Sequence, residues 1–161
     1  MKFIFTIFLL LAYNCAVFAD TIEGLVVSVA DGDTITILDD TNTQHKIRLA
    51  GIDAPEKKQA FGNVSKRALS DLVYKKQVNV EFTKRDRYQR IIGKVLADDQ
   101  DVNLEMLKVG LAWHYVKYQK EQTFEDRIEY AQAEKDSRLL RRGLWLDEAQ
   151  TAPWDFRKSK K

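Results

Sequence analysis

Cysteine is almost absent from this 161-residue chain, whose one cysteine, Cys15, lies in the N-terminal stretch. The chain beyond that stretch can form no disulfide, so packing alone must hold its fold. Long apolar runs are also absent after the N-terminus, which leaves no segment there that could span a bilayer. Apolar content of 45% and charged content of 31% are typical of one globular domain with a core of its own.

The N-terminal stretch has a different composition from the rest of the chain. Lys2 precedes an apolar run over residues 3–12, and the small residue Ala19 ends the stretch. This pattern predicts a signal peptide over residues 1–19 that is cleaved before Asp20. The alternative is an uncleaved anchor, for which the apolar run is short. The sequence therefore predicts an exported protein, periplasmic or secreted, with no membrane segment after cleavage.

Charge is unevenly distributed along the chain. Residues 20–56 contain eight acidic side chains against two basic ones, whereas residues 57–95 contain eleven basic against three acidic. An acidic third followed by a basic third is the pattern expected of a cation site beside a groove for a polyanion. The alternative is that two solvated faces simply differ in sign.

Hydrophobic periodicity predicts five strands and three helices. The strands are predicted at residues 24–29, 34–38, 44–52, 77–83 and 90–97. The helices are predicted at residues 63–74, 102–109 and 123–142. Asn63 is the predicted cap of the first helix, and Phe124, Ile128 and Ala131 form the predicted inward face of the third. Together these elements predict a small Greek-key barrel of the α+β class with helices inserted between and after its strands.

One short stretch, residues 48–56, concentrates groups of opposite charge around a turn. Pro55 lacks an amide hydrogen and ends the strand, and it holds the preceding residue extended. Asp53 and Glu56 lie three positions apart around this turn, shortly after Arg48. Carboxylates, a fixed carbonyl and a guanidinium at one strand end indicate a hard cation next to an anion such as phosphate.

Three short motifs follow one another along the chain and together indicate a family resemblance. They are D-G-D-T at residues 31–34, R-L-A-G-I-D-A-P-E at 48–56 and D-R-Y-Q-R at 86–90. In this order and spacing they resemble the staphylococcal nuclease (thermonuclease) family, over about residues 23–145. The resemblance implies a five-stranded OB-fold barrel with three α-helices as the nuclease domain over residues 20–150. Residues 151–161 are then a C-terminal extension of unknown role.

The resemblance implies a single Ca²⁺ held by Asp33, Asp53 and the backbone carbonyl of Ala54. Many members of the family have threonine where this chain has Ala54, but a backbone ligand tolerates alanine. Asp31 matches an acid that lies beside the metal without contacting it. The alternative for Asp33 is that it only stabilises its Asp-Gly-Asp turn. His45 and His114 lack the spacing of metal ligands and are assigned to the surface or the core.

The resemblance also implies the catalytic groups. Glu56 is the candidate general base, although sequence alone does not distinguish proton removal from positioning of the water. Arg48 and Arg90 are the candidate phosphate clamps, because guanidinium groups match phosphate oxygens and stabilise charge that builds in the transition state. The alternative for Glu56 is a surface acid paired with Lys57 or Lys58, and the alternative for Arg48 is a cross-strand ion pair.

Three tyrosines complete the predicted site. Tyr88 is expected to hydrogen-bond a phosphate, and Tyr115 and Tyr118 lie where the family has tyrosines that stack on bases. Alignment around these two is ambiguous, and a core role for one of them is an equal alternative. Stacking without a base code predicts preference for single-stranded or unstacked substrate.

Taken together, the resemblance implies a monomeric Ca²⁺-dependent endonuclease acting on DNA and RNA and leaving 3′-phosphate ends. A rival hypothesis is an OB-fold module that binds nucleic acid without chemistry. Relatives of that kind have typically lost arginines or carboxylates of the site, all of which this chain retains. A third is a Ca²⁺-stabilised surface protein whose C-terminal Pro-Trp segment binds a partner.

Overall fold

A computed structural model describes residues 20–160 of the chain. The predicted signal peptide over residues 1–19 lies outside the described residues. Eight strands are described within this range. Their bounds are β1 Asp20–Val29, β2 Thr34–Leu38, β3 Gln44–Leu49, β4 Ile52–Asp53, β5 Gln77–Arg85, β6 Ile91–Ala97, β7 Gln100–Asp101 and β8 Trp113–His114.

The first three strands form an antiparallel meander, as the sequence predicts. β1 starts four residues earlier than expected. The backbone of its first, largely polar residues pairs with β5, and this pairing extends the strand. The predicted third strand over residues 44–52 is interrupted after β3 by a turn in which Gly51 has a φ of +72°. This positive φ suits glycine, and the turn sends β4 in a new direction.

A parallel pairing of β3 with β6 closes the sheet into a barrel. The sheet order is β3-β2-β1-β5-β6, with the short β7 beside β6. In the closing pair Ile47 lies opposite Ile91 and Leu49 opposite Gly93. The result is the predicted α+β fold, a closed five-stranded OB-fold barrel carrying helices. β4 and β8 form a separate two-stranded pair outside the barrel.

Alternating apolar side chains of the barrel strands fill its interior. Fully buried examples are Val26, Ile35, Ile37, Ile47, Leu49, Val80, Ile91 and Val95. They pack together with apolar side chains of the first two helices, including Leu69, Val73, Met106 and Leu107. This single core leaves the ends of β2, β3 and β6 free to position polar groups.

Four α-helices are described, one more than the sequence predicts. Their bounds are α1 Gly62–Val73, α2 Val102–Lys108, α3 Phe124–Leu139 and α4 Pro153–Ser159. Asn63 is not the cap of α1: the helix begins directly after Phe61, which has a φ of +64° and makes no side-chain cap. Helices α2 and α3 have ordinary caps, in which Asp101 accepts from the Leu104 amide and Thr123 accepts from the Asp126 amide.

The predicted inward face of α3 is wrong. Phe124 and Ile128 are 64% and 54% exposed, and Ala131 is exposed as well. The buried face is Tyr130, Ala133 and Ser137. This face is chosen by hydrogen bonds and small size rather than by apolar bulk, since the Tyr130 hydroxyl donates to Asp101 Oδ2 at 2.8 Å and small side chains allow close packing on α2.

The chain after α3 returns to the body of the protein. Leu144 and Trp145 are buried, and Trp145 packs edge-on against Trp113 with 5.2 Å between ring centroids. Ala152 and Trp154 pack against this same cluster, which places α4 beside β4 and β8. No helix within residues 20–160 is both long and apolar enough to cross a bilayer.

Candidate active site

The turn between β1 and β2 brings Asp33 onto the segment that contains Asp53. Gly32 makes this approach possible, because a Cβ there would lie 1.9 Å from Ser65 Oγ and 2.8 Å from the Ala54 Cβ. The Ala54 amide donates to Asp33 Oδ2 at 2.6 Å. Both aspartates are nearly inaccessible to solvent, at 5% for Asp33 and 0% for Asp53. Two acids twenty residues apart in the chain therefore converge in a buried position.

Arg48 lies between the two carboxylates. Its Nη2 is 3.1 Å from Asp33 Oδ2 and 2.8 Å from Asp53 Oδ1. Its Nη1 donates to the backbone carbonyls of Leu49 and Ile52, each at 2.9 Å. Arg48 therefore makes the ion pair that was the alternative to its phosphate role, with both carboxylates at once, and it also braces the turn after β3.

Negative charge is in excess around Asp33. Burial raises the pKa of its carboxyl most strongly; Arg48 opposes this, and the neighbouring carboxylates of Asp31 and Asp53 raise it further, to about 7. Asp31 also accepts a hydrogen bond from the Asp33 amide at 3.2 Å, which is how it stabilises the turn. A carboxylate so placed gains from a further positive charge nearby.

The two aspartates fit a hard cation as part of its ligand set. Within residues 20–160, no group of three His, Cys, Asp or Glu side chains is arranged to hold a metal ion. Asp33 and Asp53 would thus supply carboxylate oxygens, and backbone carbonyls and water would supply the rest, a mixture that Ca²⁺ accepts. The histidines take no part: His45 pairs with Asp39, and buried His114 contacts Gln122 through its Nε2.

Glu56 lies at the edge of this acidic pair. The loop after Pro55 folds back tightly, since a Cβ on Gly62 would lie 2.1 Å from the Glu56 carbonyl oxygen. The Glu56 side chain is 38% exposed, so water can reach it. Its Oε1 accepts from Arg157 Nη1 at 2.7 Å and not from either lysine considered in the alternative.

Arg90 reaches the site because the barrel closes. The turn before β6 is organised by Asp86, whose Oδ1 accepts from the amides of Tyr88 and Arg90. Asp86 Oδ2 accepts from Arg90 Nε at 2.7 Å and lies 2.7 Å from its Nη2. Burial alone would raise the pKa of Asp86, but these bonds outweigh it and the pKa lies below its usual value. The Arg90 guanidinium is thus held in one orientation.

A cleft of about 680 Å³ unites these groups. All ten residues predicted from sequence line it: Asp31, Asp33, Arg48, Asp53, Ala54, Glu56, Tyr88, Arg90, Tyr115 and Tyr118. Five additional charged residues line it too: Lys84, Asp86, Arg87, Glu121 and Arg157. Segments far apart in the chain therefore meet around one space, in which arginines lie directly against the carboxylates.

The tyrosines lie on the rim of the cleft. Tyr88 is 64% exposed, and the guanidinium groups of Arg87 and Arg90 lie 4.8 and 5.6 Å from its ring centroid. Tyr115 and Tyr118 contact each other edge-on at 4.8 Å, and neither is buried. The core alternative therefore applies to neither of this pair.

Sequence reasoning missed the contribution of α4. Arg157 donates to both oxygens of Asp53 and to Glu56, and the Trp154 ring stacks on Tyr115. Pro153 at the start of the segment and basic residues at its end are signals of a short helix. Arg157 is the one arginine among the basic residues of the tail, but its local sequence does not indicate that it contacts Asp53 and Glu56.

Comparison with known proteins identifies the family. The model of the family described as "Staphylococcal nuclease homologue" matches residues 46–147. The chain belongs to the staphylococcal nuclease family. A Haemophilus influenzae protein named "Uncharacterized endonuclease" is 46% identical over 136 residues, which cover 84% of this chain and 73% of that protein. A Shigella flexneri protein named "Micrococcal nuclease" is 38% identical over 86% of this chain and 82% of its own length.

Family membership gives the enzyme class. The site residues that the staphylococcal nuclease motifs predict are present and line one cleft. The chain is a nuclease, a hydrolase whose substrate is nucleic acid.

Proposed function

We propose that this nuclease is an exported, monomeric, Ca²⁺-dependent endonuclease that cleaves DNA and RNA and leaves 3′-phosphate ends. The observation that carries the proposal is the convergence of two buried carboxylates, one partly exposed carboxylate and two arginines in a single cleft. A site built only to bind nucleic acid would gain nothing from buried acids, because they repel the phosphate backbone.

Asp33, Asp53 and the carbonyl of Ala54 are the proposed Ca²⁺ ligands. Burial first, and then the carboxylates of Asp31 and Asp53, raise the pKa of Asp33 against the opposing effect of Arg48, so a bound cation would stabilise the charged form of Asp33. When bound, the ion would polarise a phosphoryl oxygen and offset the charge that builds during attack. Asp31 lies on the turn behind Asp33 and orients it through the backbone.

Glu56 is the proposed partner of the attacking water. A partly exposed carboxylate beside the cleft can accept a proton from water or hold that water in line with the phosphorus. The new bond forms between water oxygen and phosphorus, and the bond to the 5′ oxygen breaks. The products are a 3′-phosphate and a 5′-hydroxyl, with the proton from water ending on the leaving oxygen.

Arg48 and Arg90 are the proposed donors to the scissile phosphate. Arg90 is pre-oriented by Asp86, which lowers the entropy cost of holding the phosphate. Arg48 would give up part of its contact with the carboxylates to reach a phosphate oxygen. By the family pattern, Arg90 also contacts the leaving group.

Tyr115 and Tyr118 are proposed to favour unpaired bases by stacking on them, and Tyr88 is proposed to hydrogen-bond a phosphate. Tyr88, Tyr115 and Tyr118 line the cleft beside Lys84 and Arg87. Exposed aromatic rings stack on any base, and nearby cations follow the backbone, so binding is sequence-tolerant. Single-stranded substrate is therefore expected to be cleaved faster than duplex.

The direct test is cleavage by the purified protein lacking residues 1–19. Activity on single-stranded DNA is expected with Ca²⁺ and is expected to disappear with a chelator. The products should accept a 5′ label from a polynucleotide kinase without prior dephosphorylation, because their 5′ ends are hydroxyls. Equal cleavage with Ca²⁺ and with chelator would contradict the metal role, and 5′-phosphate products would contradict the direction of bond breaking.

A second test concerns Glu56. Glu56→Gln is expected to lower kcat by two or more orders of magnitude while leaving substrate affinity nearly unchanged, since the acid–base step alone is worth roughly 10²–10⁴. Glu81→Gln is the matched control, because Glu81 is exposed on β5 and does not line the cleft. Turnover of Glu56→Gln within a few fold of the control would refute the role.

The export proposal has its own test. Expression of the full chain should yield a periplasmic or secreted protein, and its mass should equal that of a chain that begins at Asp20. Retention of residues 1–19 in a membrane fraction would support the anchor alternative. A cytoplasmic full-length protein would refute export.

A further inference from the structure

The C-terminal helix α4 places a guanidinium on the carboxylates of the candidate cation site. Arg157 Nη2 donates to Asp53 Oδ2 at 2.7 Å, and its Nη1 donates to Asp53 Oδ1 at 3.1 Å and to Glu56 Oε1 at 2.7 Å. One side chain thus engages both the buried acid and the proposed catalytic acid. Such bidentate, charge-assisted bonds are among the stronger polar contacts in proteins.

These contacts with arginine leave few carboxylate lone pairs available to a metal ion. Asp53 Oδ1 accepts from Arg48 and Arg157, and Asp53 Oδ2 accepts from Arg157. Asp33 Oδ2 accepts from the Ala54 amide, and Asp33 Oδ1 accepts from the Thr34 hydroxyl. A Ca²⁺ ion bound at 2.3–2.6 Å from Asp53 oxygens would compete for the same lone pairs and repel the guanidinium.

Arg157 is the arginine that can leave. Arg48 is fixed by two backbone carbonyls in the barrel wall. Arg157 sits on a seven-residue helix near the C-terminus, and its side chain is 40% exposed. A helix of this length has little stability of its own, so its position depends on its contacts.

A second contact of α4 covers a different part of the site. The Trp154 ring stacks on Tyr115 with 5.2 Å between centroids and 5° between planes. Tyr115 is one of the two tyrosines proposed to stack on bases, so Trp154 takes up a face that a base would use. The same helix therefore covers both the cation ligands and a base platform.

We propose that residues 152–160 form a C-terminal latch, which closes the site through Arg157 and Trp154 and is displaced when Ca²⁺ and a single strand bind. The proposal rests on the proposed function, because it assumes that Ca²⁺ binds at Asp33 and Asp53. The latch stabilises the buried carboxylates when no other cation does, and it makes Ca²⁺ affinity depend on how often it is open.

The test is Ca²⁺ binding measured by titration calorimetry on the protein lacking residues 1–19. If the latch is open about one tenth of the time, removing it tightens apparent Ca²⁺ affinity about tenfold. Arg157→Gln is expected to show this gain. Lys158→Gln is the matched control, because among the described residues Lys158 forms an ion pair only with Asp155 of its own helix. The Ca²⁺ affinity of this variant should equal that of the wild type.

A second variant and a second readout keep the proposal falsifiable if one variant folds poorly. Trp154→Ala removes no group that bonds to a carboxylate, but it weakens the packing that holds α4 and Arg157 in place, so it should also tighten Ca²⁺ binding. Trypsin cleavage after Arg157 or Lys158 in the wild type should accelerate when Ca²⁺ is added, because the displaced helix becomes accessible.

The outcomes separate the latch from the proposed function. A wild type that binds Ca²⁺ and cleaves DNA, while Arg157→Gln binds Ca²⁺ no more tightly and has a raised KM, overturns the latch and makes Arg157 a substrate-binding residue. Ca²⁺ that slows trypsin cleavage at α4 also overturns it. If no variant binds Ca²⁺, both proposals fail, and α4 is only a brace.

Discussion

Asn103 is the polar side chain whose replacement we expect to lower the free energy of unfolding most directly. It is fully buried at the start of α2, and its Oδ1 accepts from the Val95 amide at 3.1 Å. Its Nδ2 donates to the carbonyl oxygens of Ala50 and Gly93, at 2.9 and 3.2 Å. One amide group thus joins α2, β6 and the turn that carries the chain from Arg48 to Asp53.

The cost of Asn103→Ala follows from the bonds it breaks. The Val95 amide loses this partner in a buried position and the Ala50 carbonyl loses it in a partly buried one, at about 1–3 kcal/mol each. The Gly93 carbonyl keeps its bond from the Ala50 amide, so its loss is smaller. We therefore expect a loss of roughly 3–5 kcal/mol in the free energy of unfolding.

Urea unfolding followed by tryptophan fluorescence and by circular dichroism measures this loss. The midpoint should fall while the dependence on urea concentration stays the same. Asn63→Ala is the control, because Asn63 is exposed and does not cap α1, and it should change stability by no more than about 0.5 kcal/mol. A loss below about 1 kcal/mol for Asn103→Ala would refute the reasoning, since the orphaned groups would then have found other partners.

Two further predictions concern charged side chains outside the acidic pair. Asp86→Asn keeps an acceptor for the turn but loses the ion pair that orients Arg90, so kcat on single-stranded DNA should fall about tenfold with Ca²⁺ affinity unchanged; an unchanged kcat would show that Arg90 needs no such support. Asp39 has a pKa held below its usual value, first by its bond from the Thr41 hydroxyl and then by that from His45. A lowered folded-state pKa gives stability that is present above about pH 4 and is lost as pH falls, because the unfolded chain then binds the proton more tightly. Asp39→Asn should therefore lower the melting temperature at pH 7, and its difference from wild type should shrink steadily as the pH falls below about 4; a difference that stays constant from pH 7 down to pH 2 would exclude the carboxylate as its source.

The sequence predicts the barrel well because its strands alternate regularly. Val78, Val80 and Phe82 on β5 show the period-two pattern, and the meander turns contain glycine or polar residues. The early start of β1 was missed because Asp20 and Glu23 carry no such pattern and are extended only by pairing with β5. Pairing partners of polar strand residues are not encoded in local composition.

Helix faces were harder to predict than helix positions. α3 was found nearly in place, but its apolar side chains Phe124 and Ile128 face outward, whereas Tyr130 and Ser137 face inward. Periodicity assumes that apolar bulk is buried, and here hydrogen bonds to Asp101 and from Trp145 decide the face. Tertiary partners of this kind lie far away in the sequence.

The site residues were predicted through motifs, and the structure brings them to one cleft. Their individual roles stay predictions. Arg157 could not be predicted, because its place depends on how the chain returns over Trp113 and Trp145 after α3. A side chain whose importance arises from the route of the chain has no local signal.

The parallel pairing of β3 with β6 determines when, during folding, the nuclease can become active in the cell that makes it. Arg48 and Arg90 become neighbours of the same cleft only after strands about forty residues apart have paired, and such distant pairing comes late in folding. A chain that is still being synthesised therefore does not yet have an assembled active site. The chain has one cysteine, Cys15, so it can form no internal disulfide. Assembly of the active site therefore needs completion of the barrel but no oxidant.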